Sequence, residues 1–385
     1  MRKYVLSFFI VLAIASISFG REPELLHTLK VHDARVILLA FSLDCKTLAS
    51  STEGGNVQLW DVNAGKNICV LYKGSDCCDA LAFSPDGKIL AGGSDCKILW
   101  LWDPIKKEEI AKFTTHSMSH SRYSSAFAFT PDGKTIQTWN SDYDGNLESI
   151  TFWDVATQTR TDEVKLQPGI YRRMAFSPDC KIFAAVFGDI PIITMPDSTI
   201  YIPSVIKLYE TATGKKLNTL KGRGNNVDYF IFSPDGKTLA AQSEGISFRN
   251  ADNTSDIQTP GMLELWDVKT GNNLLTIKEG TEYIRALAFS PDGKILALGH
   301  FEDPIIELRD VSSGKIITLL KGHENENDGI MCMSFSPNGK MLASGRSDGT
   351  IEIWDIQGLG ITGKSPSSTV NAPDAKTAKQ IKKVK

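Results

Sequence analysis

Two short stretches of this 385-residue chain have residue types and spacing that metal chemistry would require. In SDYDGNLE, residues 141–148, Asp142, Asp144 and Asn146 alternate, with Glu148 beyond. Oxygen ligands so spaced suit calcium, but an EF-hand loop needs glycine at its sixth position, and Gly145 comes fourth. The stretch reads instead as a polar loop presenting Asp142, Tyr143 and Asp144. In THSMSHSRY, His116 and His120 stand four apart beside Arg122 and Tyr123. Paired imidazoles can share zinc, yet no helical pattern surrounds these two and no third ligand is near, so they read as an exposed loop. The seven cysteines contain no C-x-x-C pair, which argues against a thiolate zinc site. No metal or cofactor is expected.

Catalytic motifs are equally sparse. There is no G-x-S-x-G turn to expose a nucleophile, and no spacing singles out a Ser/His/Asp set. No glycine-rich loop opens a helix, because no helical periodicity of useful length occurs. The chain therefore reads as non-catalytic.

The elements that would position these residues come from the ends inward. Residues 1–20, MRKYVLSFFIVLAIASISFG, place two cations before an apolar run and end in small residues. This is the layout of a signal peptide cut after Gly20, with a run too short to serve as a membrane span. Residues 357–385 hold six lysines and one aspartate with no aromatic side chain. Such a segment buries too little surface to offset its ordering entropy and reads as a disordered, lysine-rich tail. The formal charge of −3 thus hides −10 on residues 21–356. An acidic body argues against a nucleic-acid partner, which calls for a basic face.

Between the ends, one unit recurs seven times. FSPDGK occupies 83–88 and returns at 289–294, with variants from Phe41, Phe129, Phe176, Phe232 and Phe335. Serine, proline and glycine at the first, second and fourth turn positions favour a type I turn closing a hairpin. An apolar strand precedes each turn and another follows. A third strand ends in an aromatic and an acid, as in LWD at 59–61, 101–103 and 265–267. Blades four and six carry the worn forms LYE and LRD. A further turn, TGK at 213–215, leads to a fourth strand ending near Lys221-Gly222. Leu39, Leu81, Phe127, Met174, Phe230, Leu287 and Met333 mark the apolar position two residues before each anchor phenylalanine.

Across residues 24–356 the sequence resembles the WD-repeat β-propeller family, as an exported, bacterial member. The resemblance implies an all-β, seven-bladed propeller of four-stranded antiparallel blades at 21–356. The last unit stops after its third strand at Asp355, and LLHTLK at 25–30 is an orphan fourth strand. The N-terminal strand is therefore expected to complete the last blade, pairing with 350–354 and removing two open sheet edges. The resemblance also implies a blade-stiffening network of His323, Asp348 and Trp354. His32 lacks the preceding glycine, Cys96 replaces the aspartate, and Tyr209 and Arg309 replace the tryptophan. Those blades are expected to hold together by packing rather than by buried polar links.

On such a ring Cys45 and Cys180 take the glycine slot of distant blades, too far apart to bridge. Cys332 falls in an inner strand, as a small buried hydrophobe. The disulfide left open is Cys96 with Cys77 or Cys78. Four residues before the anchor phenylalanine stand Asp79, Arg172, Asp228 and Arg285, expected at the channel rim, where ion pairs between blades and a ligand-contacting role are both open. Blades three to five carry long insertions that emerge on one face. The blade-four insert, GDIPIITMPDSTIYIPS, offers Ile192, Met195 and Tyr201; the blade-five insert, EGISFRNADNTSDIQTP, offers Phe248 and Arg249. Loops this long are functional or disordered, and apolar ones suit a contact surface, while the blade-four insert could instead pair with itself as an extra hairpin packed on the rim. The expected function is a monomeric, exported scaffold binding another protein through this crescent. A propeller enzyme or small-ligand binder using the central channel is the alternative.

Overall fold

The computed structural model describes residues 21–30, 34–74, 78–94, 98–114, 127–141, 148–167, 171–187, 192–195, 198–201, 205–222, 227–243, 247–249, 255–257, 261–278, 284–301, 304–323 and 328–361. Seven four-stranded antiparallel sheets form the blades of a propeller. Blade one runs Val36–Phe41, Thr47–Thr52, Val57–Asp61 and Lys66–Tyr72, each strand pairing with the next. First strands of neighbouring blades approach one another around the ring, so they line its centre and the fourth strands lie outermost. Among the described residues the helical content is one 3-10 turn, Gln357–Leu359.

The six-letter turn shows why its residues recur. The Ser84 hydroxyl donates to Asp86 Oδ1 at 2.8 Å and accepts from the Ile89 amide at 2.9 Å. Asp86 Oδ1 also accepts the Lys88 amide, and the Gly87 amide closes the turn on the Ser84 carbonyl. Gly87 has φ +73°, the left-handed region where a side chain is strained. Cys45 and Cys180 hold that slot at φ 60° and 58°, confirming their place and adding backbone strain.

Ring closure follows the strand count. Glu24–Lys30 pairs antiparallel with Thr350–Asp355, setting Leu25 against Trp354 and Lys30 against Thr350. Blade seven is thus built from Ile330–Phe335, Met341–Arg346, Thr350–Asp355 and this N-terminal strand. The core is divided into seven apolar clusters, one at each junction between neighbouring blades. At the junction of blades seven and one, Val36, Leu48 and Trp60 meet Cys332, Ala343 and Ile353. A single blade would expose both faces, so stacking in a closed ring is what buries them.

The propeller has two unlike ends. One, the turn face, carries the six-letter turns and those after each third strand. The other, the loop face, carries the insertions and the connections into each first strand.

Candidate functional site

The loop face is built on a repeated irregularity. In the first strands of six blades the ladder slips by one residue, between 36 and 38, 78 and 80, 171 and 173, 227 and 229, 284 and 286, and 330 and 332. The skipped residues include Asp79, Arg172, Asp228 and Arg285, the four assigned to the channel rim. A bulge leaves such a residue out of the ladder and redirects it, a device that sheets use beside binding sites. The Arg285 guanidinium lies 4.9 Å from the Phe301 ring centre. One position beyond the bulge in blade four, Arg173 stacks 4.7 Å over Tyr229 of blade five. These cation–π contacts tie charged rim groups to aromatic rings. The side chains of Asp79, Arg172 and Asp228, and with them the expected ion pairs between blades, lie outside the described residues.

Two insertions rise from the same face. Ile192–Met195 pairs with Ser198–Tyr201 as a hairpin, with Ile192 opposite Tyr201 and Met195 opposite Ser198. Ser247–Arg249 pairs with Ser255–Ile257, setting Phe248 opposite Asp256. The strand Ser198–Tyr201 lies beside Ser247–Arg249, so the inserts of blades four and five meet. Each insert therefore pairs with itself, and both are backbone-ordered platforms rather than open loops. The side chains of Ile192, Met195, Tyr201, Phe248 and Arg249 fall outside the described set, as do His116, His120, Arg122, Tyr123, Asp142, Tyr143 and Asp144.

In blade seven the loop face is fastened by charge. His323 Nε2 lies 3.1 Å from Asp348 Oδ2, and its Nδ1 lies 2.9 Å from Glu352 Oε1. The His323 amide also donates to Glu352 Oε1. Fully buried Arg346 lies 3.3 Å from Glu352 Oε2 and donates to the carbonyls of His323 and Asp328. A Cβ on Gly322 would collide with both Arg346 and Glu352, which is why glycine precedes His323. Burial pushes the Asp348 carboxyl up, but hydrogen bonds from Thr350 and His323 outweigh it and hold the group below its ordinary range. Trp354 is not joined to this network. Trp60 and Trp153 donate to Ser50 and Thr138, but Trp354 Nε1 and the corresponding Ser344 hydroxyl have no partner. Trp354 packs against blade six instead.

His323, Asp328 and Asp348 bring ligand atoms within 4.8 Å of one another, close enough to raise the question of a metal. Both imidazole nitrogens already face carboxylates, and Arg346 supplies the cation beside them. The arrangement is that of an ion network.

Blade six corrects an expectation. Arg309, in the tryptophan slot, was expected to leave the blade to packing. It donates through Nε and Nη2 to Glu307 Oε2, at 2.7 and 2.6 Å, and through Nη1 to the Gly314 carbonyl. His300 completes the group 3.7 Å from Glu307. The neighbouring His300 imidazole and the Arg309 charge hold the Glu307 carboxyl below its ordinary range against the opposing effect of burial. Glutamate and arginine two apart on one strand share a face, and that was the available signal. In blade four, Tyr209 stacks 4.9 Å from Phe183.

The described cysteines behave as hydrophobes. Cys45, Cys69, Cys180 and Cys332 are free thiols, and Cys78 is buried with its sulfur directed at the Ala80 carbonyl. Cys77 and Cys96 lie outside the described residues. Burial pushes the Cys180 thiol up to about 12 and that of Cys332 further, so neither offers a ready thiolate.

Comparison with known proteins agrees with this architecture. Residues 23–61, 65–103 and 314–355 match the WD domain, G-beta repeat family, and 262–326 match the anaphase-promoting complex subunit 4 WD40 domain. A guanine nucleotide-binding protein subunit beta from Nicotiana tabacum is 22% identical over 347 residues, covering 86% of this chain and 83% of that protein. WD repeat-containing protein slp1 from Schizosaccharomyces pombe is 26% identical over 258 residues, 66% of this chain and 48% of the relative. A human WD repeat and SOCS box-containing protein 1 is 35% identical over 66 residues, 17% of this chain and 16% of the other. Together these matches support the WD-repeat family.

Proposed function

From a chain whose blades are similar to those of WD-repeat proteins, we propose a non-catalytic scaffold that binds a protein partner through the loop face of blades three to five. The carrying observation is the meeting of two inserted hairpins, one from each of two neighbouring blades. Among the described residues the five other blades join their second and third strands without an inserted strand, so the extra hairpins are not needed for the ring. Their sequence, rich in isoleucine with Met195, Tyr201 and Phe248, suits a contact surface. The leader-like residues 1–20 support export, with a mature form that begins at Arg21; a monomer is the state inferred for it.

The test replaces residues 190–202 by a short Gly-Ser link. Melting temperature is expected to stay within a few degrees of the parent, while affinity capture from the native envelope fraction loses its specific partner. Unchanged capture by the folded variant would move the binding site off this crescent. The bulged rim, with Arg285 on Phe301 and Arg173 on Tyr229, favours as a second reading a small anionic ligand at the channel mouth. Strong thermal stabilisation by one anionic compound would favour it.

A further inference from the structure

On the turn face, six blades share a fastening that blade two lacks. The residue after each third strand donates its amide to the lysine ending the six-letter turn: Val62 to Lys46, Val155 to Lys134, Thr211 to Lys181, Val268 to Lys237, Val311 to Lys294 and Ile356 to Lys340. In blade two that residue is Pro104, which has no N–H, so the Lys88 carbonyl loses the donor its counterparts receive. Next to it, blade one carries Leu43 where the other turns carry proline or its equivalent. Between these two departures opens a cavity of about 370 Å³. Leu43, Phe83, Pro104 and Ile105 line it with apolar surface, Asp44 and Asp86 with carboxylates, and Lys88 adds one cation at the same edge. Ile105 is 79% exposed, more than any other large hydrophobic residue described. Phe83 is partly exposed, whereas the anchor phenylalanine is buried in five other blades. Asp44 accepts from Ser42 and the Lys46 amide through Oδ1. Asp86 reaches the exposed Lys88 at 3.5 Å, a pair that solvent weakens.

An apolar cleft edged by carboxylates fits an aliphatic side chain flanked by ammonium groups. We propose that this cavity is a docking site for such a peptide, and that its occupant is the chain's own segment 379–385, KQIKKVK. Ile381 and Val384 supply the aliphatic groups, and Lys379, Lys382, Lys383 and Lys385 the charge. The chain reaches the turn face in the right place. After Asp355 the 3-10 turn brings Ile361 against Gly339 of blade seven. That turn adjoins blade one, where the Cys45 thiol meets the Asn338 backbone, and blade one adjoins the cavity. Residues 362–378 can extend over roughly 60 Å, ample to reach it. Tethering gives the segment an effective concentration on the order of millimolar, so weak contacts suffice. The site lies on the face opposite the proposed partner surface and stands independently of it.

The test follows tryptic cleavage after Lys382 and Lys383 in the full chain by mass spectrometry. Docking protects these bonds, so Ile105→Glu and Pro104→Val should each raise the cleavage rate about 3- to 10-fold. Pro104→Val restores the residue of four other blades and should melt at or above the parent temperature, which separates lost docking from lost folding. Ile381→Ser with Val384→Ser should match the cavity variants. Equal rates in the parent and all variants would overturn the proposal. Protection that fades on dilution would overturn it too, by placing the segment on a second copy.

Discussion

In blade two, the residue two before the tryptophan that ends the third strand is Trp100; in blade seven the same position holds Glu352. Blade two fills the space with rings. Trp100 stacks on Trp102 at 6.2 Å and meets Tyr72 at 4.8 Å, and Gly92 leaves room for the Trp102 ring. Blade seven fills it with charge, burying Glu352 and Arg346 at 0% exposure and binding both to the His323 loop. One strand register thus accepts two chemistries. Rings stabilise by removing apolar area from water. A buried pair stabilises only while both partners remain, since each alone is a desolvated charge.

That asymmetry sets the largest predicted effect. Glu352→Ala leaves Arg346 buried and unpaired and should cost about 3–5 kcal/mol in denaturant unfolding. Replacing both, as Arg346→Met with Glu352→Leu, should recover most of the loss, because the apolar pair imitates blade two. A double variant as unstable as the single one would show that the network does more than balance its own charges. On the other side, Trp100→Ala should cost about 3–5 kcal/mol through the cavity it leaves, and no neighbouring substitution of charge should rescue it.

Acid sharpens the same contrast at smaller amplitude. The Asp348 carboxyl is held below its unfolded value of about 3.9, so its stabilisation is complete above that value and fades as pH falls through the lower folded one. Asp348→Asn should therefore cost on the order of 1 kcal/mol at pH 7, with the difference from the parent shrinking as pH falls through and below the unfolded value of about 3.9. The Trp100→Ala penalty should persist across that range. Identical pH profiles for the two variants would remove Asp348 from the account.

These contrasts mark how far the sequence could be read. The turn letters were legible because each does one job within six residues: Ser84 and Asp86 by hydrogen bonds, Gly87 by its backbone. Closure was legible from counting strands, since an orphan at 25–30 matched a gap after Asp355. The lengths of the inserts showed where the loop face would rise, but not that Ser198–Tyr201 would lie beside Ser247–Arg249, because contact between inserts leaves no mark in either stretch. The buried pair of Arg346 and Glu352 was missed for a related reason. They sit on different strands, six residues apart, and only the fold shows that both are sealed from water. Asp79, Arg172, Asp228 and Arg285 share one offset from the anchor phenylalanine, legible in the sequence, while the extra residue each adds to the ladder needed the pairing itself.

The smallest predicted effect asks whether one slot can again hold two balances, now in blades one and four. Cys45 and Cys180 both stand where glycine is favoured, at φ 60° and 58°, and a side chain there costs roughly 1–2 kcal/mol. Cys45 returns less for that strain: its thiol lies 3.7 Å from the Leu43 carbonyl of its own turn and beside the Asn338 backbone, with no contact as short as that of Cys180. Cys180 returns more, because its thiol donates across the blade junction to the Phe129 carbonyl at 3.1 Å while Gln137 donates to its own carbonyl. Substitution by glycine relieves the strain in both and removes the cross-blade bond in one. Cys45→Gly should leave stability unchanged or raise it by up to about 1 kcal/mol. Cys180→Gly should lower it by about 0.5–1 kcal/mol, the burial and hydrogen bond outweighing the relieved backbone. Urea midpoints measured side by side decide it, and a Cys180→Gly chain more stable than the Cys45→Gly chain would mean that strain, not the contact across the blades, governs this slot.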